Sequence, residues 1–210
     1  IADRAMMLVE LEYYVFDSVE YSTGLDHASY SIASAEGLGE EYETLPRFGA
    51  HKGYHKLPPE DRYLDFRNRT VHIMEKIGIP VKYHHHEVGA SQLEIELDFM
   101  DLVKAADSVC LAKWIIHTVA YEMGLVVTFM PKPLYKMPGN GMHVHQYLEK
   151  GKKSIFPGKE LHGLSKEALS YTAGLLEHSL TGSLLAFTNP STNSYRRLVP
   201  GYEAPISATF

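Results

Sequence analysis

The sequence predicts an α+β domain built on an antiparallel sheet. Its clearest strand alternates between apolar and polar residues, a pattern typical of antiparallel sheets with one exposed face. Segments with helical periodicity separate the predicted strands, which favours helices packed on such a sheet. The 210 residues are 45% hydrophobic and 22% charged. This composition and length fit a single globular domain and argue against wholesale disorder.

The first half of the chain predicts two strands around one helix. Residues 6–16 are rich in β-branched and aromatic residues, which predicts a strand. Residues 17–56 are polar and contain several glycines, so we expect short strands at most, such as a hairpin. The run Pro-Pro-Glu-Asp at 58–61 predicts the start of a helix of about 18 residues that Gly78 ends. Residues 92–99 alternate strictly and predict a half-buried strand.

The second half adds helices at both ends of a strand pair. Asp101 begins the first of these helices, and Ser165 is a candidate N-cap of the second, because its side chain can accept a backbone hydrogen bond. The predicted elements are a helix, two strands, a second helix and an ordered loop, over residues 101–124, 125–130, 142–148, 164–186 and 187–210 in that order.

Composition excludes several classes of protein. The single cysteine, Cys110, excludes an intrachain disulfide framework and a cysteine-based metal site. The net charge of −6 argues against a broad nucleic-acid surface, and no stretch approaches the roughly 18 apolar residues of a membrane span. We therefore expect a cytoplasmic protein with no nucleic-acid or membrane partner. Because both ends fall in structured-looking segments, we expect an internal piece of a longer polypeptide.

Acidic residues occur in pairs on the predicted strands. Glu10 and Glu12 share one face of the first strand, where two adjacent carboxylates repel each other. They form either a solvated face or the oxygen ligands of a cation. Glu87 follows three histidines, and Glu94 lies on the strand after them. This second group is either a polar outer face behind a histidine-rich loop or a further source of ligands.

Two histidines follow a glycine turn. His143 and His145 share a face of the strand that leaves Gly139-Asn140-Gly141. The turn predicts either a hairpin or a close approach of backbone amides to a ligand. With Glu149, the two histidines also resemble the metal spacing of a cupin barrel, although the glycine expected before that motif is absent.

Taken in order, these stretches and the arginine-containing tail resemble the catalytic domain of a type I-like glutamine synthetase. The matching stretches are Val-Glu-Leu-Glu-Tyr-Tyr-Val-Phe-Asp at 9–17, His-His-His-Glu-Val at 84–88, Thr-Phe-Met-Pro-Lys-Pro at 128–133, Gly-Met-His-Val-His at 141–145 and Asn-Ser-Tyr-Arg-Arg-Leu-Val-Pro-Gly-Tyr-Glu-Ala-Pro at 193–205. The resemblance implies a glutamine synthetase/guanido kinase-like fold with a curved antiparallel sheet flanked by helices. It also implies that residues 1–210 lack the family's N-terminal β-grasp domain and the C-terminal part of the catalytic domain.

The resemblance implies an ATP-dependent ligase. The family joins ammonia to the γ-carboxylate of glutamate through γ-glutamyl phosphate, using two Mg²⁺ or Mn²⁺ ions. By resemblance, Glu12, Glu87 and Glu94 would hold the first ion. Glu10 and His143 would hold the second, whose last ligand would follow Phe210. Oxygen-rich sites suit both ions, and one imidazole shifts the preference toward Mn²⁺.

Further site residues follow only from the resemblance. Those at the glutamate side are Gly139, Pro138, Arg197 and Glu203, of which Arg197 would bind a carboxylate and Glu203 would close over the site and take a proton from ammonium. Those at the nucleotide are His145, Tyr147 and Lys82. Tyr147 and Lys82 depart from the usual serine and acidic residue, and Pro138 replaces a common asparagine. We expect His84 and His85 to be supporting residues, because neighbouring side chains of a strand alternate in direction.

The resemblance also implies the partners and leaves two alternatives open. Glutamate, ammonia and ATP would be the substrates, and the full-length protein would form a homo-oligomer of twelve subunits in two rings. A γ-glutamyl-amine or polyamine ligase of the same family is one alternative, and a non-catalytic structural relative is the other.

Overall fold

The computed structural model describes residues 1–37, 52–179, 182 and 191–204. Within these residues the strands are β1 Arg4–Phe16, β2 Ser18–Thr23, β3 Ala28–Ala33, β4 Val81–His86, β5 Gln92–Leu97, β6 Met100–Asp101, β7 Val126–Thr128, β8 Val144–Lys150 and β9 Lys153–Ser154. The α-helices are α1 Leu64–Lys76, α2 Leu102–Glu122, α3 Lys166–His178 and α4 Thr192–Arg196, with a short 3₁₀ turn at Leu161–Gly163. The described helices include none that is both long and apolar enough to cross a bilayer.

β1 is the central strand of the main sheet. The strand order is β4-β5-β1-β8-β9, and both β6 and β7 also pair with β1. β8 pairs with the first half of β1, whereas β5 pairs with the segment from Glu10 to Tyr14. All of these pairings are antiparallel, and β2 and β3 form a separate two-stranded hairpin. The predicted α+β fold with an antiparallel sheet is therefore confirmed.

The hydrophobic core lies between one face of the main sheet and helices α1 and α2. Alternate residues of β1 and β5, including Leu11, Tyr13 and Ile95, are buried there beside Ile116 of α2. The ring of Tyr13 packs edge-on against Phe66 of α1, with 6.3 Å between the ring centres. Because strand residues alternate in direction, the intervening residues of β1 and β5 face the opposite side of the sheet.

The start of α1 is a correction to the sequence prediction. The helix begins at Leu64 rather than at the proline pair, and residues 58–60 form a turn instead. Asp61 explains why the helix starts later than predicted. Its buried carboxylate accepts a hydrogen bond from the Tyr63 backbone and forms an ion pair with Arg67. An aspartate that bonds the backbone two residues ahead favours a turn over a helix. The predicted C-terminal end at Gly78 agrees with the structure, where Gly78 has a φ of 85°.

Other elements differ in smaller ways. Ser165 caps α3 as predicted, by accepting a hydrogen bond from Ala168. Asp101, predicted to begin the preceding helix, is the N-cap of α2 and accepts from Val103. The histidine run weighed above as a loop is strand β4, and the tail expected to be loop contains α4, capped by Ser191. The helix predicted over residues 164–186 corresponds to α3, Lys166–His178. Parts of the predicted elements at 38–51, 180–181, 183–190 and 205–210 lie outside the described residues.

Candidate active site

A cavity of about 450 Å³ opens on the face of the main sheet opposite the core. Nine of the residues assigned above by resemblance line it: Glu10, Glu12, Glu87, Glu94, Pro138, Gly139, His143, Arg197 and Glu203. The rest of the lining is Tyr54, Tyr83, His85, Val88 and Gln92. Residues from β1, β4, β5 and four segments outside these strands therefore meet at one place.

One side of the cavity, which we call the acidic wall, consists of Glu12, Glu87 and Glu94. Antiparallel pairing of β1 with β5 sets Glu12 directly opposite Glu94, and Glu87 begins the turn from β4 to β5. All three are buried, with exposed fractions of 7%, 9% and 6%. One ligand atom each from His85, Glu87 and Glu94 lies within 4.8 Å of the others. Such a spacing is small enough for the three groups to share one cation.

The buried carboxyls of the acidic wall are poor sites for negative charge in the absence of a cation. Burial raises the pKa of both Glu12 and Glu87, because an ionised carboxylate is poorly solvated there. Burial, followed by the charges of Glu10, Glu12 and Glu87, raises the pKa of Glu94 to about 9. A bound divalent cation would reverse this, since it stabilises the ionised form of every carboxylate around it.

The donor set fits a divalent metal. Glu10, Glu94 and Glu96 form a second group whose ligand atoms lie within 4.8 Å of one another. The buried Oε2 of Glu96 is an acceptor for which the described residues offer no hydrogen-bond partner. Carboxylate oxygens with one or two imidazoles are ligands that Mg²⁺ and Mn²⁺ accept. The described residues can therefore hold such an ion at this wall.

Glu10 lies in a different environment from the acidic wall. Nδ1 of His143 and Nε2 of His145 lie 2.7 Å and 2.6 Å from its two carboxylate oxygens. Burial acts to raise the pKa of Glu10, but the hydrogen bonds with His145 and His143 outweigh it and lower that pKa. The second group of candidate ligands thus carries its own potential counter-charges.

His84 and His85, the first two of the three consecutive histidines, contact different parts of the molecule. His85 faces the cavity, with its Nε2 3.7 Å from Oε2 of Glu94 and its ring stacked on His55. His84 instead lies beside Arg67, whose Nε donates to Nδ1 of His84 at 3.2 Å. We expected both to be supporting residues. Of the two, only His85 reaches the candidate metal ligands. Alternation along β4 was visible in the sequence, but which parity faces the cavity depends on the pairing with β5.

The opposite side of the cavity, which we call the loop wall, consists of residues 138–141 and Arg197. The Tyr14 hydroxyl donates to the carbonyl of Pro138 at 2.7 Å, and Nε2 of Gln92 donates to the carbonyl of Gly139 at 3.1 Å. The Gly141 backbone donates to Oε2 of Glu12 at 2.7 Å. Hydrogen bonds from β1 and β5 thus hold the loop wall against the acidic wall. Gln92 was not singled out from the sequence, because its role depends on that contact.

Arg197 is 8% exposed and joins the loop wall to the tail. Its Nε donates to the carbonyl of Asn140 at 3.3 Å, and its Nη1 donates to the carbonyl of Glu203 at 2.9 Å. A Cβ atom added to Gly139 would lie only 2.1 Å from Cδ of Arg197 and 2.6 Å from the Pro131 carbonyl. The arginine therefore packs directly on Gly139, where no side chain fits.

The three residues assigned to the nucleotide do not line the cavity. His145 contacts Glu10 from β8, the Tyr147 ring packs edge-on against Phe99, and Nζ of Lys82 lies 2.6 Å from Oε1 of Glu96. Glu149 is further away still, paired with Arg4 at 3.0 Å. Glu149 lies at the other end of β8 from His143 and does not line the cavity, which removes the residue that the cupin alternative required.

Comparisons with known proteins agree with one another. The family model "Glutamine synthetase, catalytic domain" matches residues 3–210. Over 212 residues the chain is 41% identical to glutamine synthetase of Azospirillum brasilense, covering 98% of this chain and 45% of that protein. A match to glutamine synthetase of Frankia alni is 42% identical over 220 residues, covering 100% of this chain and 46% of that protein. The chain thus spans slightly under half the length of these curated relatives.

A solved structure gives the same result for the fold. The chain superposes on a cryo-EM structure of Plasmodium falciparum glutamine synthetase with a TM-score of 0.86 and 34% identity. The superposition covers 96% of this chain and 41% of that one. The curved antiparallel sheet implied by the sequence resemblance agrees with the fold of this solved structure.

Proposed function

We propose a function from the premise that this chain belongs to the glutamine synthetase family, since the catalytic-domain model of that family matches residues 3–210. The full-length protein joins ammonia to the γ-carboxylate of L-glutamate through γ-glutamyl phosphate, and converts ATP to ADP and phosphate. One observation carries this proposal: the acidic wall and the loop wall face each other across a single cavity. Metal-binding carboxylates and a carboxylate-binding arginine are both needed where a phosphoryl group is transferred to glutamate.

The acidic wall would hold the first divalent cation. Glu12, Glu87 and Glu94 are the proposed ligands, with His85 beside them, and Glu10 with His143 are the proposed ligands of the second cation. When bound, Mg²⁺ or Mn²⁺ neutralises the charge of a phosphoryl group during its transfer. The carboxylates themselves keep the ions in place from strands that are fixed by the core, so little reorganisation accompanies the reaction.

The loop wall would orient glutamate. The guanidinium of Arg197 can pair with two oxygens of one carboxylate, which fixes both distance and direction. Gly139 and Pro138 would present their backbone to the substrate beside it, since Gly139 has no side chain and lets Arg197 pack directly on the main chain. A glutamate molecule with one carboxylate held there would point its other carboxylate toward the acidic wall.

Glu203 would act on the ammonia side. It lines the same cavity as Glu87, and its backbone is held by Arg197. A carboxylate there can accept a proton from ammonium and release the ammonia nucleophile. Closure of this segment over the cavity would also exclude water, which competes with ammonia for the activated glutamate.

The nucleotide would approach from the β8 side of the cavity. His145, Tyr147 and Lys82 are the proposed contacts. His145 and Tyr147 lie on β8, and Lys82 contacts Glu96, the residue paired with Glu10. His145 is the nearest, because it already contacts Glu10, a proposed ligand of the second cation. Phosphates bound through that cation would come within reach of the His145 ring.

The substrates proposed are small molecules, and the assembly proposed is a cytoplasmic homo-oligomer of twelve subunits in two rings. Large apolar side chains on the outer face of α2 support an assembly, since Trp114 is 64% exposed and Tyr121 is 85% exposed. Such residues are commonly covered by another surface. The rest of the polypeptide and neighbouring subunits are the surfaces that this proposal assigns to them.

The test is an activity assay of the full-length protein with glutamate, ATP and Mn²⁺. Ammonia and methylamine are compared as acceptors, phosphate release is followed, and the γ-glutamyl product is identified by mass spectrometry. We expect glutamine, with ammonia strongly preferred. A preference for methylamine would move the protein to the γ-glutamyl-amine ligases, and ATP hydrolysis without a γ-glutamyl product would contradict the proposal. Arg197→Lys, which keeps the charge but loses the paired donors, should raise KM for glutamate.

A further inference from the structure

A buried ion pair lies behind the acidic wall, outside the cavity. Glu36 is 2% exposed and His86 is fully buried, and Nε2 of His86 lies 2.8 Å from Oε2 of Glu36. Neither residue lines the cavity and neither has been used in the proposed reaction. The pair nevertheless adjoins Glu87, the next residue along the chain.

Glu36 spans the turn that connects β4 to β5. Its carboxylate contacts the His86 ring before the turn and accepts a hydrogen bond from the Ser91 backbone after it. Ser91 has a φ of 67°, a left-handed conformation that is uncommon for a residue other than glycine. The other carboxylate oxygen accepts from the Arg62 backbone at 3.0 Å. One carboxylate therefore holds both sides of the turn that lies between Glu87 and Glu94.

The His86 ring continues this contact to the main chain of Glu87. Nδ1 of His86 lies 2.6 Å from the Glu87 carbonyl oxygen, while Nε2 faces Glu36. A ring bonded at both nitrogens cannot rotate without losing one of the bonds. The peptide that follows Glu87 is therefore tied to Glu36 through a rigid five-membered ring.

The surrounding backbone leaves this peptide little other freedom. The Gly53 backbone donates to the Val88 carbonyl at 3.0 Å, and the Glu87 backbone donates to the Gln92 carbonyl at 2.7 Å. A Cβ atom on Gly53 would lie 2.5 Å from the Glu87 carbonyl oxygen and 2.8 Å from Cε1 of His86. The segment around Glu87 is packed closely enough for a small displacement of His86 to move it.

We propose that Glu36 and His86 are positioning residues that fix the main chain of Glu87, and thereby set the affinity of the acidic wall for a divalent cation. The proposal rests on the proposed function, which makes Glu87 a metal ligand. Ionised carboxylates such as those of Glu87 and Glu94 repel each other, so a fixed backbone helps to keep both within reach of one cation. Outer partners of metal ligands typically change affinity by about 10–100-fold when removed.

The test measures Mn²⁺ affinity in the full-length protein by electron paramagnetic resonance, without glutamate or ATP. The main variant is His86→Gln, whose single amide cannot contact both Glu36 and the Glu87 carbonyl. The matched control is His84→Gln on the same strand, because His84 contacts Arg67 rather than Glu87. Thermal melts of each variant separate lost affinity from lost folding.

We expect His86→Gln to weaken Mn²⁺ binding by about 10-fold or more, while His84→Gln stays within about threefold of the unmodified protein. If His86→Gln fails to fold, Glu36→Gln serves in its place, with an expected loss of a few-fold because the amide keeps an acceptor for the backbone donors. A folded variant at residue 86 or 36 that binds Mn²⁺ normally overturns the proposal, and so does an equal loss in His84→Gln or no Mn²⁺ binding at all.

The same measurements separate this proposal from the proposed function. If the protein binds Mn²⁺ and His86→Gln weakens that binding, the positioning role stands even where the activity assay yields no glutamine. If glutamine forms normally but His86→Gln leaves the Mn²⁺ affinity unchanged, only the positioning role fails.

Discussion

The two walls of the cavity are held in place by different forces. The acidic wall is fixed by the strands that carry it, yet its buried carboxylates repel each other and the pKa of Glu94 is raised to about 9. The loop wall carries no such repulsion, because its carbonyls accept hydrogen bonds from Tyr14, Gln92 and Arg197. The acidic wall is therefore well positioned but electrostatically unfavourable, whereas the loop wall is stable as long as its packing is intact.

This difference predicts opposite responses to mutation. Replacing a carboxyl of the acidic wall by an amide should stabilise the metal-free protein and weaken metal binding. Adding volume to the loop wall should destabilise the protein whether or not metal is present. Only the acidic wall lowers the stability of the metal-free protein, and a bound cation would restore that stability. This agrees with the general observation that functional sites are locally unfavourable.

The largest effect is expected for Glu94→Gln. The substitution removes a proposed metal ligand, so Mn²⁺ affinity of the full-length protein should fall by about 100-fold, the upper end of the range for outer partners of a ligand. In EDTA between pH 6 and 9 the melting temperature should rise, since folding then requires the Glu94 carboxyl to take up a proton, which a neutral amide does not need. A variant that binds Mn²⁺ normally, or that melts lower in EDTA, would show that the acidic wall is not under repulsion.

Gly139→Ala tests the loop wall. The added methyl group overlaps Cδ of Arg197 and the Pro131 carbonyl, so it should cost about 1–3 kcal/mol of unfolding free energy, in EDTA and in Mn²⁺ alike. The matched control is Gly174→Ala in α3, where nothing lies within 4 Å of the new Cβ. Alanine favours a helix over glycine, so the control should be neutral or stabilising by up to about 1 kcal/mol. Equal effects at the two glycines would mean that the loop wall has room to adjust.

A pH dependence should distinguish the acidic wall in the absence of metal. The Glu94 carboxyl keeps its proton up to about pH 9 in the folded protein, but loses it near its usual value of 4.5 when unfolded. The folded state thus binds more protons within this window, and stability falls as pH rises from about 4.5 to 9. In EDTA, the melting temperature of the unmodified protein should drop more steeply between pH 6 and 9 than that of Glu94→Gln. Parallel curves for the two proteins would contradict the assignment.

The smallest effect is expected for Glu149→Gln. Glu149 pairs with Arg4 on the part of β8 that lies outside the cavity. Its replacement should leave Mn²⁺ affinity within about twofold, and lower the unfolding free energy by no more than about 1 kcal/mol, because Arg4 is partly exposed. A marked loss of Mn²⁺ binding would extend the site beyond both walls.

The sequence predicted what depends on local pattern. Alternation placed Glu10 with Glu12 on one face, and the capping residues Asp101 and Ser165 lie where the helices begin. These features depend on neighbours within four residues. Whether this acidic face is solvated or provides the ligands of a cation was left open, because the pairing of Glu12 with Glu94 joins residues far apart in the chain.

What the sequence could not predict depends on contacts between distant segments. His85 stands out from its two neighbours only because β4 pairs with β5 in one register. The short helix α4 has five residues, too few to be stable alone, and the Asn193 side chain fixes it by exchanging hydrogen bonds with the Lys132 backbone. Asp61 delays the start of α1 through its contact with Arg67, six residues away.

The central position of β1 has a consequence for synthesis of the protein. Arg4 at its beginning contacts Glu149, 145 residues further along the chain. At roughly 5–20 residues per second, a ribosome needs about 7–30 s to make that stretch. Throughout this time the first half of β1 has emerged while its partner β8 has not, so this edge stays open to pairing with other chains even after β5 has paired with the other edge. Shielding of this edge during synthesis should therefore raise the yield of folded protein.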